Sequence, residues 1–145
     1  MKKRLSKYTP RGYKLSVHRS LAGNGLFADE DIPKGMCIIE YIGRVVSKEE
    51  AENDEGKYLF EVGPKGKTIN GNIPANVARY INHSCAPNCE AYGPAGRVFI
   101  FSRKRISAGT ELTYNYGKEY FEKFIKPKGC RCAKHRRGTK RSMLH

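Results

Sequence analysis

Three groups of residues carry side chains suited to chemistry. Tyr114 and Tyr116 flank Asn115 in ELTYNYG (111–117). On an extended strand alternate residues face the same side, so the two phenols share one face. By residue type alone this is a cross-strand aromatic pair; an apolar ring that ends in a hydroxyl also suits the wall of a reaction channel. Asn82-His83 joins an amide to an imidazole, a pair that caps local backbone groups or meets a ligand. Gly23-Asn24-Gly25 lacks the third glycine and the following helix of a dinucleotide fingerprint. Two glycines nevertheless let backbone come close to a ligand. Five cysteines complete the set: Cys37, Cys85, Cys89, Cys130 and Cys132. An odd count in a chain with no apolar leader argues against a disulfide framework and leaves metal binding open.

The elements that must position these residues are short. The 145 residues suit one domain with a real core. YKLSVHR (13–19) alternates loosely and predicts a strand. GLFADEDIPKGMCIIEYIGRVVS predicts a short strand, a turn at Pro33–Gly35 and a strand from Met36 to Val46. SKEEAEND (47–54) predicts a short helix, with Ser47 as N-cap and Glu50 three residues on. YLFEV (58–62) predicts a strand and NVARYINH (76–83) one or two helical turns. Residues 89–106 predict a hairpin turning at Gly93-Pro94-Ala95-Gly96, and ELTYNYG a short extended piece. KEYFEKFI (118–125) has helical spacing. Many short strands with fifteen Gly and seven Pro imply a compact, mostly β, turn-rich fold.

Charge divides the chain. The net charge is +14, yet residues 20–117 are near neutral. Residues 1–19 hold seven basic and no acidic residues, and 118–145 hold ten basic and two acidic ones. Basic flanks around a neutral centre fit either a nearby polyanion such as nucleic acid or solvated tails. No apolar run approaches the roughly 18 residues of a membrane span, and the basic N-terminus lacks the apolar core of a signal peptide. A reducing, intracellular setting is expected.

Four segments, taken together, resemble the signature blocks of the SET-domain protein lysine methyltransferases. They are GNGLFADEDIPKG (23–35), EYIGRVV (40–46), NVARYINHSCAPNCE (76–90) and ELTYNYG. GCRC (129–132) is similar to the start of the cysteine-rich post-SET segment. The third block is the most specific, being long and chemically unusual. The resemblance implies a basic flank over 1–11, a SET domain over 12–117 and a post-SET-like segment with a basic tail over 118–145. It implies small twisted sheets with a pseudoknot-like, threaded C-terminal segment, a break with the usual absence of knots.

The resemblance also implies roles. The cofactor would be S-adenosylmethionine, held by main-chain groups at Asn24 and Gly25, the Asn82 side chain and the His83 backbone, with Arg79 structural or close by. Tyr41 would line the floor of the transfer site. Tyr116 would be the catalytic tyrosine, and Tyr114 would stand at a Phe/Tyr switch that limits the product to one methyl, or two. The acceptor lysine, with an ordinary pKa of about 10.4, must be neutral to attack; an apolar channel favours that form and aligns the reacting atoms. A zinc ion would take Cys85, Cys130 and Cys132. The fourth cysteine of the family pattern falls at Arg137, and His135 is the nearby candidate to complete a Cys3His set. Cys37 and Cys89 read as packing residues. Asn70 stands where many relatives carry an acid, and Lys57–Asn70 would flank the substrate. The implied substrate is a protein with a target lysine, such as a histone tail or another DNA-associated protein. That setting is the nucleus or chromosome in a eukaryote and the cytoplasm otherwise. The alternative is a non-catalytic chromatin- or nucleic-acid-binding module on the same fold.

Overall fold

A computed structural model of the protein describes residues 7–20, 23–52, 58–62, 67–94 and 96–116. Strands dominate. β1 (Leu15–Ser20) and β2 (Gly23–Ala28) form an antiparallel hairpin. β3 (Cys37–Tyr41) pairs with β9 (Val98–Ser102), which also pairs with β8 (Cys89–Tyr92). β4 (Arg44–Val46) and β5 (Leu59–Val62) flank β6 (Lys67–Asn70). The last pair is parallel: β10 (Thr113–Tyr114) lies beside β7 (Asn82–His83).

β9 reads VFIFS and is buried throughout, as a continuous apolar run requires of a strand covered on both faces. Ile100 and Val98 join the main core with Leu26, Ile32, Ile81 and Leu112. Phe99 and Phe101 form a second cluster with Cys37 under Tyr8. The hairpin predicted over 89–106 forms as β8 and β9, with Tyr92 opposite Phe99, and ends at Ser102. The predicted helix appears as α1 (Lys48–Glu52), where Ser47 Oγ accepts the Glu50 amide at 3.1 Å.

Two expectations change. The strand predicted from Met36 to Val46 is broken at Ile42-Gly43, and its halves belong to different sheets. The Ile42 amide leaves the ladder to donate to Asn76 Oδ1 at 3.2 Å. Gly43 then lies so close to the Asn70 carbonyl that a Cβ would overlap it. Residues 76–83 are not simply helical: a single 3-10 turn (Val77–Tyr80) gives way to β7. β6 was not predicted as a strand; it is ordered by neighbours on both sides. The segments 118–125 and 129–132 lie outside the described residues, as does all of the chain beyond Tyr116 in which the expected threading would fall.

Two outcomes test this packing. Gly43→Ala sets a methyl against backbone that cannot move aside, so it lowers unfolding free energy by at least about 2 kcal/mol in urea melts. Cys89 is 1% exposed, and burial pushes its thiol up from 9.0 to about 12. The unfolded chain loses that proton first, so the stability it contributes is present below pH 9 and is lost as pH rises toward 12. Between pH 8 and 11 the parent chain should therefore lose on the order of 1–3 kcal/mol more than Cys89→Ala.

Candidate active site

The site is assembled by the parallel contact of β7 with β10, in which Thr113 stands beside Asn82 and Tyr114 beside His83. Two residues per strand cannot hold themselves together. Side chains complete the join. Asn88, 7% exposed, donates through Nδ2 to the Glu111 carbonyl at 2.8 Å and accepts the Thr113 amide on Oδ1 at 2.9 Å. The Ser84 amide donates to the Tyr114 carbonyl at 3.1 Å. One residue past Asn115, the Tyr116 amide donates to His83 Nδ1 at 3.1 Å.

That last bond fixes the imidazole. With Nδ1 as acceptor, we assign the ring proton to Nε2, which faces Cys85 Sγ at 3.2 Å. Tyr116 is half-buried, and its hydroxyl donates to the Ile81 carbonyl at 2.7 Å. Its ring lies 4.9 Å from Tyr114 and 5.4 Å from His83, so the two tyrosines share a side as their spacing predicts. The aromatic row continues from Tyr114 to Phe60 at 5.6 Å and from Phe60 to Tyr41 at 4.6 Å. Tyr41 is 2% exposed and donates its hydroxyl to the Tyr58 carbonyl at 2.9 Å. Burial holds this phenol well above its ordinary value, so it stays protonated and cannot serve as a base.

A polar cluster borders the row. Asn82 Nδ2 lies within hydrogen-bond distance of three acceptors: Asn24 O and Glu111 Oε2 at 2.8 Å and Ser20 Oγ at 3.1 Å. Gly25 is buried beneath this cluster, and a Cβ there would overlap the Glu111 carboxylate. Arg79 faces elsewhere. Its guanidinium donates to Asn72 Oδ1 at 3.2 Å and Tyr80 Oη at 2.8 Å, while its Nε is buried without a hydrogen-bond partner among the described residues.

Asn24, Gly25, Asn82, His83, Tyr114 and Tyr116 thus converge, with Tyr41 joined to them through Phe60. Cys85 opens on a shallow groove of about 360 Å³ that Ala86, Pro87, Arg103 and Lys104 also line. Cys130, Cys132 and His135 lie outside the described residues, and among the described residues no three His, Cys, Asp or Glu side chains gather as a metal site. Phe60, Asn76, Asn88 and Glu111 are additions that the sequence reading did not single out. Asn76, 1% exposed, bridges the Gly71 carbonyl and the Ile42 amide. The available signal was position: Asn76 and Asn88 lie inside the 76–90 block and Glu111 opens ELTYNYG.

The chain is similar in sequence to known proteins. Histone-lysine N-methyltransferase 2D of Homo sapiens is 38% identical over 108 residues, covering 66% of this chain and 2% of that protein. Histone-lysine N-methyltransferase trithorax of Drosophila virilis is 36% identical over 151 aligned positions, covering 93% of this chain and 4% of that protein. The H3 lysine-36 specific histone-lysine N-methyltransferase of Homo sapiens is 34% identical over 126 residues, covering 77% and 5%. The chain therefore spans a small fraction of the length of these relatives. Residues 23–117 match the family model of the SET domain. With that match covering β2, the aromatic row and the β7–β10 join, the chain belongs to the SET domain family.

Proposed function

We propose that the chain transfers a methyl group from S-adenosylmethionine to the side-chain nitrogen of a lysine in a protein substrate. The observation that carries this reading is the join of β7 and β10, which sets Tyr114 and Tyr116 beside Asn82-His83. The names of the relatives support a histone substrate, or another DNA-associated protein. The excess positive charge in the flanks supports a substrate carried on nucleic acid, and hence action on chromatin where the source cell has it and in the cytoplasm otherwise.

The residues present suit this cofactor. Backbone at Asn24 and Gly25 meets the Asn82 amide in one cluster, with Tyr114 beside His83 on β10 and the Tyr116 ring just past its end. Arg79, tied to Asn72 and Tyr80, would shape the wall from behind rather than touch the ligand. When bound, the cofactor supplies a methyl carried on a positively charged sulfur. Tyr116 spends its proton on the Ile81 carbonyl, so toward a ligand its oxygen would act as an acceptor for polarised C–H or N–H groups. A wall built of the Tyr114, Tyr116 and Phe60 rings would exclude water from an entering lysine, and that desolvation disfavours its ammonium form and lowers its pKa. Tyr41 backs this wall through Phe60 as its floor. A rigid wall also aligns nitrogen, methyl and sulfur, and orientation of this kind supplies much of a rate enhancement.

Tyr114, 6% exposed, would leave less room beside the lysine nitrogen for added methyls, so the product is mainly monomethyllysine, with dimethyllysine as the upper limit. A zinc ion would add structure, not chemistry: a Cys85 thiolate at the groove edge would join Cys130, Cys132 and His135 in a Cys3His set.

Label transfer from methyl-labelled S-adenosylmethionine to core histones and a cell lysate tests the activity. Tyr116→Phe should lower the rate at least about a hundredfold while costing only about 1 kcal/mol of stability for the lost hydrogen bond. No transfer by the parent chain to any protein would overturn the reading. Tyr114→Phe should shift the product toward di- and trimethyllysine by mass spectrometry; an unchanged distribution removes Tyr114 from product control.

A further inference from the structure

Glu111 is the one feature of the site that no role above has used. Its carboxylate is half-buried and accepts from Asn82 Nδ2 at 2.8 Å. Among the described residues no Lys or Arg pairs with Glu111. The ion pairs there are Arg44–Glu50, Arg97–Glu40 and Arg105–Asp31. Arg19 pairs with Asn24 across the hairpin and makes no ion pair with Glu111. A half-buried carboxylate without a cation is costly unless something positive completes it.

Asn82 points the same way. Its Nδ2 has two hydrogens and three acceptors in range, so the amide orientation is fixed with nitrogen toward Glu111 and Asn24. Its Oδ1 accepts no hydrogen bond from the described residues. An acceptor oxygen and an unpaired carboxylate therefore stand on neighbouring side chains, beside a glycine that keeps the space between backbone and carboxylate free of a Cβ. Acceptors alone, with net negative charge, select a cation that donates hydrogen bonds.

We infer that Glu111 is a cofactor-binding residue, whose carboxylate, with Asn82 Oδ1, recognises the α-ammonium of the cofactor's amino acid end. The inference rests on the methyl-transfer reading and adds a determinant of ligand choice. Glu111 acts twice: it supplies the countercharge, and it holds the Asn82 amide in the one orientation that turns Oδ1 to the ligand.

Calorimetric titration of the full chain tests this without turnover, using S-adenosylhomocysteine and the analogue that has hydrogen in place of the α-ammonium. The parent chain should prefer the ammonium ligand by about tenfold or more, as expected of a charge-assisted hydrogen bond. Glu111→Gln, equal in length and uncharged, should bring the two affinities within roughly threefold. Glu111→Asp, which keeps the charge but draws it back by one methylene, should fall between. A Glu111→Gln chain that weakens both ligands equally and keeps the preference would make Glu111 structural and overturn the inference alone. Equal binding of both ligands by the parent chain would overturn it without any variant. Binding of neither would remove the cofactor reading, and this inference with it.

Discussion

The parallel contact between Asn82-His83 and Thr113-Tyr114 is the join on which the site depends. Thirty-one positions separate its partners, and each contributes only two residues. Such a contact has almost no ladder of its own and must be held from outside. Asn88 does most of this, since its amide donates to the Glu111 carbonyl just before β10 and accepts from the Thr113 amide within it. Ser84 and His83 add one bond each to the tyrosine segment. Every residue that brings chemistry to the site is attached to this join or to something it holds. Losing it would separate Tyr116 from His83 and Glu111 from Asn82.

Polar side chains do in this protein what long strands do in others. Among the described residues the sheets have two or three strands each, and the buried Asn76, Asn82 and Asn88 tie segments that no sheet connects. A buried amide stabilises only when its hydrogen bonds are made, and costs heavily when they are not. The arrangement therefore specifies one geometry sharply. It explains the break at Ile42-Gly43: satisfying Asn76 is worth more than one further residue of strand. Apolar burial still supplies the bulk of the driving force, through a core that runs from Leu26 to Tyr114. The aromatic row is the edge of that core, so the wall of the site and the packing of the fold are one structure.

Local signals were legible where one element sufficed. The hairpin of β8 and β9 announced itself by its turn, and the helix at 48–52 by its N-cap. The shared side of Tyr114 and Tyr116 followed from strand period alone. Strand breaks and short strands were not legible, because neither Ile42-Gly43 nor Lys67–Asn70 carries a local pattern that decides its pairing. The choice there rests on Asn70, Asn76 and the flanking strands, which lie elsewhere in the chain. The same reason hid Glu111 and Asn88, whose importance is a matter of what they touch.

The sequence by itself determined the residue types of the site, their order and the period that aligns the tyrosines. Those are properties of a chain and of single elements. Only the tertiary structure decided that Asn82 spends its nitrogen on Glu111 and Asn24, that Tyr116 spends its proton on Ile81, and that Tyr41 lies sealed behind Phe60. Hydrogen-bond direction and burial depend on neighbours from distant segments, and those neighbours exist only after the β7–β10 join has closed.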